Sequence, residues 1–363
     1  ERLSSITFWA PNTKGETSHW EVARYGYDSA GRLTEEWDPR ISPAIKETYT
    51  YLGADSEYRG GQIKTVASGG LEPLTLEYES APVRDRLIAV SRPSLLASSS
   101  KATTSVVYGV PLSGSGAPYD MSAAAVGAWG QELAPFDATA IFPPNEVPAR
   151  PPSSYARATI YYTDGEGKLL STATPSGAGT SAPSITTSET DEYGNVVREL
   201  SAQNRLRALA AGSESVIRSH ELETKRRYGS EGTQLEEEWG PMHQVRLESG
   251  ASVQARMHRL VKYDEGWGKP EEPPSLKPHL PTRETTGAAI PGQGEDADQR
   301  VTVTNYDWNL RKPIETIVDP GESPAHLNLR TRIAYDPQTG LPTERSQPAG
   351  RGGGDAHTVK TSY

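Results

Sequence analysis

The chain has 363 residues, a net charge of −10 and no cysteine. The acidic balance argues against a nucleic-acid partner, because phosphate binding needs a basic surface, and the lack of cysteine excludes disulfides and thiolate metal sites. Apolar residues make up only 34% of the chain, no run is long enough for a membrane-spanning helix, and no secretion signal is visible. Because aromatic and β-branched runs recur between turn-forming residues, we favour a thin, exposed β-sheet over a disordered chain.

The first part of the chain is a series of predicted strands. Alternating apolar and polar residues predict strands over residues 4–10, 20–27, 45–52, 62–66, 74–78 and 86–91. Residues 91–155 depart from this pattern and form a predicted irregular insertion rich in Pro, Ser and Ala. We expect one strand at 103–110 inside it, and a short helix that begins at Ser122 and ends near Trp129.

Strands resume at residue 156, and one further helix is predicted over residues 200–211. Ser201 would cap its N-terminus and Gly212 would end it, and Ala202, Leu206 and Leu209 would share one face. Further strands are predicted over residues 221–227, 234–239, 245–248, 253–262, 301–306, 311–318, 331–335 and 342–346. Residues 267–281 hold many prolines and are predicted to be a loop inserted within a repeat.

One unit recurs along the chain. Its clearest copy is Tyr27-Asp28-Ser29-Ala30-Gly31-Arg32-Leu33. An Asp that binds the backbone two residues on, followed by a Gly that can take positive φ, is typical of a hairpin turn. We expect Asn309 to take the place of this Gly in the copy that begins at Asp307. The motif residues are Tyr27, Asp28, Gly31, Leu33, Tyr162, Asp164, Gly167, Leu169, Asp191, Gly194, Tyr228, Gly232, Tyr263, Asp264, Tyr306, Asp307, Tyr335, Asp336 and Gly340. So many copies predict a repeat architecture.

The recurring Tyr-Asp pair resembles that of the YD-repeat, or Rhs, proteins. The pair stands at Tyr27-Asp28, Tyr263-Asp264, Tyr306-Asp307 and Tyr335-Asp336. The resemblance covers most of the chain and is weakest over residues 91–155. It implies an all-β fold, in which consecutive antiparallel hairpins form one curved, spiralling sheet over residues 1–363, with one or two short helices in insertions. Bacterial polymorphic toxins and teneurins of this kind build hollow shells.

The resemblance also implies a function. The chain would be an internal fragment of a longer secreted or cell-surface protein, and it would form part of the wall of a shell that encloses a C-terminal effector. Its partners would then be further repeats and the effector of its own chain. The alternative is an adhesion module that binds surface glycans or proteins through its aromatic residues.

No residue pattern points to catalysis. The seven histidines have no second ligand at helical spacing and are expected in solvent or turns. Neighbouring carboxylates such as Glu35 and Glu36 would point to opposite faces of a strand. We therefore expect no enzyme activity, no catalytic residue, no cofactor and no metal site.

Overall fold

The computed structural model describes residues 2–11, 15–53, 60–80, 86–94, 100–175, 184–266, 269, 278–348 and 357–362. The chain divides into two compact units. Unit 1 comprises Glu1–Ser122, Pro135–Gly167 and Thr172–Ser184, and unit 2 comprises Ala123–Ala134, Lys168–Ser171 and Ile185–Tyr363. Most of the predicted loop at 267–281, namely residues 267–277 apart from Lys269, lies outside the described residues.

Unit 1 is a ladder of antiparallel strands. Its strands are β1 (Ser5–Pro11), β2 (Thr17–Tyr27), β3 (Leu33–Trp37), β4 (Lys46–Tyr51), β5 (Ile63–Ser68), β6 (Leu74–Tyr78), β7 (Leu87–Pro93), β8 (Lys101–Tyr108), β9 (Asp137–Phe142) and β10 (Thr159–Thr163). Each strand from β1 to β9 pairs with the next strand in the chain. β11 (Leu169–Thr174) is divided between the units.

Unit 2 continues the same kind of pairing and holds the helices. Its strands are β12 (Ser184–Thr190, all but its first residue), β13 (Val196–Leu200), β14 (Thr224–Tyr228), β15 (Leu235–Trp239), β16 (His243–Arg246), β17 (Ser252–Tyr263), β18 (Pro281–Ala289), β19 (Ala297–Asp307), β20 (Lys312–Val318), β21 (Leu329–Tyr335), β22 (Pro342–Gln347) and β23 (His357–Lys360). Successive strands pair antiparallel, with one exception. β15 pairs with β17 instead of β16, and the short β16 pairs with an earlier part of β17. The all-β prediction of consecutive antiparallel hairpins is confirmed.

Three α-helices are present in the described residues: α1 (Ala123–Gly127), α2 (Ala202–Leu209) and α3 (Ser215–Leu222). The predicted cap is confirmed, since the Ser201 side chain accepts a hydrogen bond from the Asn204 amide. Ala202, Leu206 and Leu209, which were predicted to share one face of α2, are half-buried, and Leu209 packs against the core. Arg205 and Ala208 are the fully buried residues of this helix. α3 was not predicted, and it shortens the strand expected at 221–227. β9 was not predicted either, and with β8 it brings two strands into the 91–155 insertion.

Burial is uneven. None of the residues described in β1–β6 is fully buried. In β9 and β10, buried residues alternate with more exposed ones, so a core lies on one side of these strands. In unit 2, a second core joins Trp129, Leu200 and Leu222, with Leu209 packed against it. Much of the ladder therefore depends on contacts other than a deep apolar core.

Candidate functional site

The hairpin turns use the Asp and Gly of the motif in the same way. In the first copy, the Arg32 amide donates to Asp28 Oδ1 at 2.9 Å, and the Gly31 amide donates to the Asp28 carbonyl at 2.9 Å. The Arg32 amide and guanidinium hold the pKa of the Asp28 carboxyl below its ordinary value. Positive φ values of 67° to 85° occur at Gly31, Gly167, Gly194, Gly232 and Gly340. This backbone conformation favours glycine and closes the turn into a bulge.

One turn differs from its prediction. Asn309 was predicted to have positive φ after Asp307, but the residue that does so is Arg311, with φ of 53°. This turn is one residue longer than the Asp28 turn and matches the Asp336 turn, where Gly340 also stands four residues after the Asp. Asp307 Oδ1 accepts from the amides of both Asn309 and Leu310 at 2.9 Å.

The Asp264 turn keeps this chemistry although residues are inserted in it. The Leu280 amide donates to Asp264 Oδ1 at 2.9 Å, and the Asp264 amide donates to the Leu280 carbonyl at 2.9 Å. His279, with φ of 56°, stands where Gly31 stands in the first copy. The extra residues therefore belong to a single hairpin turn, and the pairing of β17 with β18 is kept.

The two strands that flank a turn pair in a recurring pattern. In eight hairpins a bulge lies near the end of the first strand. We call the residue that directly follows the bulge the clasp position and the residue opposite it the acceptor position. Tyr27 and Leu33 are one such pair, and Tyr51 and Ile63 are the next. The bulge re-aims the clasp side chain toward the preceding hairpin.

Seven tyrosines form a bond between repeats that the sequence did not reveal. Each hydroxyl donates to a backbone carbonyl at 2.6 to 3.1 Å. In six of the seven, this carbonyl is at the acceptor position of the preceding hairpin, and Tyr27 donates to Leu3, just before β1. The pairs are Tyr27 with Leu3, Tyr51 with Leu33, Tyr78 with Ile63, Tyr108 with Leu87, Tyr263 with Leu235, Tyr306 with Pro281 and Tyr335 with Pro313. We name these bonds tyrosine clasps. Burial raises the pKa of Tyr78, Tyr263, Tyr306 and Tyr335.

A basic side chain covers several clasp rings. Arg32, directly before the acceptor Leu33, lies 4.7 Å from the centre of the Tyr51 ring. Its Nε also donates to Asp28 Oδ2 at 2.8 Å, so one guanidinium connects a turn to the next tyrosine. The residue before the acceptor has the same role in Arg2 over Tyr27, Arg86 over Tyr108 and Lys312 over Tyr335. A cation over an aromatic ring adds about 0.5–1 kcal/mol at exposed sites.

The central repeats lack the clasp. The residues before Asp164 and Asp191 are threonines, and Tyr162 lies one place earlier on its strand, where it is fully buried. Tyr228 occupies a clasp position, but α2 and α3 are inserted before its strand, and within the described residues it does not bond the acceptor Val196. Here the turns contact each other instead. The Tyr193 hydroxyl donates to the Ser230 carbonyl at 3.0 Å, and Asn195 Nδ2 donates to the Gly232 carbonyl at 2.7 Å.

A buried polar cluster holds the helices to the sheet in unit 2. Arg198, only 8% exposed, donates from Nε to Glu223 Oε2 at 2.6 Å and from Nη1 to Glu189 Oε1 at 3.0 Å. Its Nη2 donates to Ser219 Oγ at 3.0 Å, and its guanidinium lies 5.5 Å from the centre of the buried Trp129 ring. These contacts fix the guanidinium between the helices and the sheet.

The described residues contain no candidate metal site. In the part of the chain that is described, no group of three or more His, Cys, Asp or Glu could hold a metal ion. The described helices include none that is long and apolar enough to cross a membrane. One histidine differs from the predicted solvent or turn role: His258 is enclosed between two carboxylates, because β17 is a central strand of its ladder.

Comparisons with known proteins give only distant similarity. No family model matches the chain, and no curated protein matches it. Among solved structures, it is similar to a chain of a Tc holotoxin pore from Photorhabdus luminescens, with 12% identity and a TM-score of 0.41 over 94% of this chain. It is also similar to a chain of a TcdB2-TccC3 crystal structure, with 13% identity and a TM-score of 0.32 over 97% of this chain. This chain spans 16% and 19% of those chains.

Proposed function

We propose that this chain is a non-catalytic wall segment of an Rhs-type shell, which encloses an effector within a secreted or cell-surface protein. The observation that carries the proposal is the tyrosine clasp. It joins a hairpin to the one before it through a backbone carbonyl, and it recurs in both units. A repeat array whose units contact only their neighbours can extend without a central core.

Burial supports the same proposal. The residues of β2 to β5 are half-buried or exposed rather than fully buried, so neither side of these strands is sealed in the chain itself. A wall has two surfaces, of which one faces solvent and the other faces the contents. The Asp-x-x-Gly turns and the Tyr-Asp pairs of the motif add the resemblance to YD-repeat proteins.

The test uses the full-length natural protein that contains these residues. Single-particle electron microscopy should show a closed shell with density inside, and an enclosed domain should resist added protease until the shell is unfolded. A variant with all seven clasp tyrosines changed to Phe should lose this protection. A control with Tyr25→Phe and Tyr161→Phe keeps the clasps and should keep the protection. An open or empty sheet in the natural protein would refute the proposal.

A second candidate function is adhesion, and one feature favours it. The β1–β2 hairpin exposes aromatic side chains, since Phe8 is 58% and Trp9 62% exposed. Trp9 stacks on His19 with ring centres 4.6 Å apart, and Phe8 lies 6.3 Å from Trp20. Binding of the chain to a glycan array, lost on Trp9→Ala but kept on Tyr193→Ala, would favour this function. No binding to any glycan or cell surface would leave the wall as the better account.

A further inference from the structure

A short stretch of the 91–155 insertion supplies apolar contact to the helices of unit 2. Residues 123–134, which we call the strap, belong to unit 2, although the chain on both sides of them belongs to unit 1. Trp129 of the strap is fully buried and packs with Leu200 and Leu222. Because α2 and α3 have only eight residues each, and helices of this length are marginal by themselves, the indole contributes burial that the two helices need.

The strap contacts three elements of unit 2 at once. The guanidiniums of Arg198 in β13 and Arg205 in α2 lie 5.5 and 5.6 Å from the centre of the Trp129 ring. The next residue of the strap, Gly130, accepts a hydrogen bond at its carbonyl from Arg198 Nη1 at 2.7 Å. Gly130 also lies against α3, since a Cβ there would be 3.2 Å from Val216 Cγ1. The strap therefore connects both helices to β13.

The strap contacts the ladder at a weak joint, between β13 and β14, which we call the seam. These strands share only two residue pairs, and no tyrosine clasp crosses between them within the described residues. The pairs are Arg198 with Lys225 and Glu199 with Thr224. β5 and β6 also share two pairs, but there the Tyr78 hydroxyl donates to the Ile63 carbonyl. The seam therefore needs a substitute for the clasp.

We propose that the strap is a latch that keeps this seam closed. Arg198 on one side of the seam donates from Nε to Glu223 Oε2 at 2.6 Å, and Glu223 directly precedes β14 on the other side. The Trp129 ring and the Gly130 carbonyl cover the guanidinium, and both charged residues are buried. Water weakens an ion pair by screening it, so withdrawal of the strap loosens the pair. Because no clasp crosses the seam, the hairpins on both sides keep their clasps when it opens, whether or not the chain forms a shell.

Hydrogen exchange of the whole chain, followed by mass spectrometry, tests the latch. Trp129→Ala should raise the exchange of peptides from β13, α2, α3 and β14 about a hundredfold, because replacing a buried Trp by Ala removes most of its packing. Peptides from β20 and β21, in the same unit, should keep their exchange. Trp129→Phe retains a ring beside the guanidiniums and should give a rise of less than about tenfold at the same places. The matched control is Ile160→Ala, which removes another fully buried side chain and should affect β9 and β10 instead.

A disulfide across the seam separates loss of the latch from general destabilisation. The chain has no cysteine, and Glu199 and Thr224 lie directly opposite each other, as a disulfide requires. With Glu199→Cys and Thr224→Cys in place, the oxidised chain should keep slow exchange in β13 and β14 despite Trp129→Ala, and reduction should restore the fast exchange. If Trp129→Ala fails to fold, Trp129→Phe supplies the same comparison. Fast exchange spread over all strands of unit 2, or unchanged exchange at the seam in the Phe variant, would overturn the latch.

Discussion

Tyr51→Phe removes one tyrosine clasp and little else. The hydroxyl that donates to the Leu33 carbonyl at 2.6 Å is lost, while the ring remains beneath the Arg32 guanidinium. A neutral hydrogen bond contributes about 1 kcal/mol net to stability. Local opening of β3 and β4 should therefore become about fivefold more frequent. Hydrogen exchange followed by mass spectrometry measures this as faster exchange of peptides from these strands.

The matched control is Tyr25→Phe. Tyr25 lies on β2 two residues before the clasp Tyr27, and its hydroxyl makes no hydrogen bond within the described residues. It should exchange like the unaltered chain. If Tyr51→Phe leaves exchange in β3 and β4 unchanged, or if Tyr25→Phe has the same effect, the clasp does not stabilise the ladder. Replacing all seven clasp tyrosines should cost about 7 kcal/mol, since well-separated changes add. That is comparable to the whole stability of an ordinary domain, about 5–15 kcal/mol.

Three further predictions follow from single contacts. Gly232→Ala should lower the urea midpoint more than Gly194→Ala, because both residues have positive φ but only at Gly232 would a Cβ overlap the Tyr193 ring; equal midpoints would contradict this. Burial raises the pKa of the Tyr78 hydroxyl above its value in the unfolded chain. The neutral hydroxyl therefore contributes fully to stability below about pH 10, and this contribution is lost as the pH rises further. Circular dichroism during alkaline titration should show that unfolding shifts to higher pH when Tyr78 is replaced by Phe. Arg198→Ala should cost about 3–5 kcal/mol in the free energy of unfolding, because it removes the guanidinium that pairs with the carboxylates of Glu223 and Glu189. A loss below about 1 kcal/mol, as for an exposed pair, would contradict the role of the cluster.

The turns could be predicted because their chemistry is local. Asp28 and Gly31 are three residues apart, and their bonds stay within one turn. The same signal located the Asp264 turn, although the closing residue Leu280 lies 16 positions later. The Asn309 prediction was wrong because a one-residue change in turn length moves the positive φ to another position, here Arg311. Sequence spacing alone does not fix that length.

The clasp could not be predicted because its acceptor is a backbone carbonyl. The tyrosine and its partner are 15 to 28 residues apart, and any residue can supply the carbonyl, as Ile63 and Pro281 do. The motif tyrosine was visible, but its role was not, and Tyr162, which lies one residue further from its Asp than Tyr27 does, forms no part of a clasp. α3 gave no signal, since its N-cap residue Glu214 makes no side-chain cap bond. The burial of Arg205 could not be predicted, because this residue contacts Trp129 from a distant segment of the chain.

A backbone acceptor has a consequence for how such an array tolerates change. Because the clasp depends on the register and not on the acceptor side chain, the acceptor residue can vary between Leu33 and Pro313 without loss of the bond. Each clasp also stabilises only the hairpin pair that it joins, so stability is local and does not require a core that grows with length. Where the clasp is missing, at Thr163 and Thr190, the sheet instead has buried residues on one side, as β10 shows with Ile160 and Tyr162. A ladder that is built mainly on clasps, as in β2 to β5, can therefore form without fully buried residues on either of its surfaces.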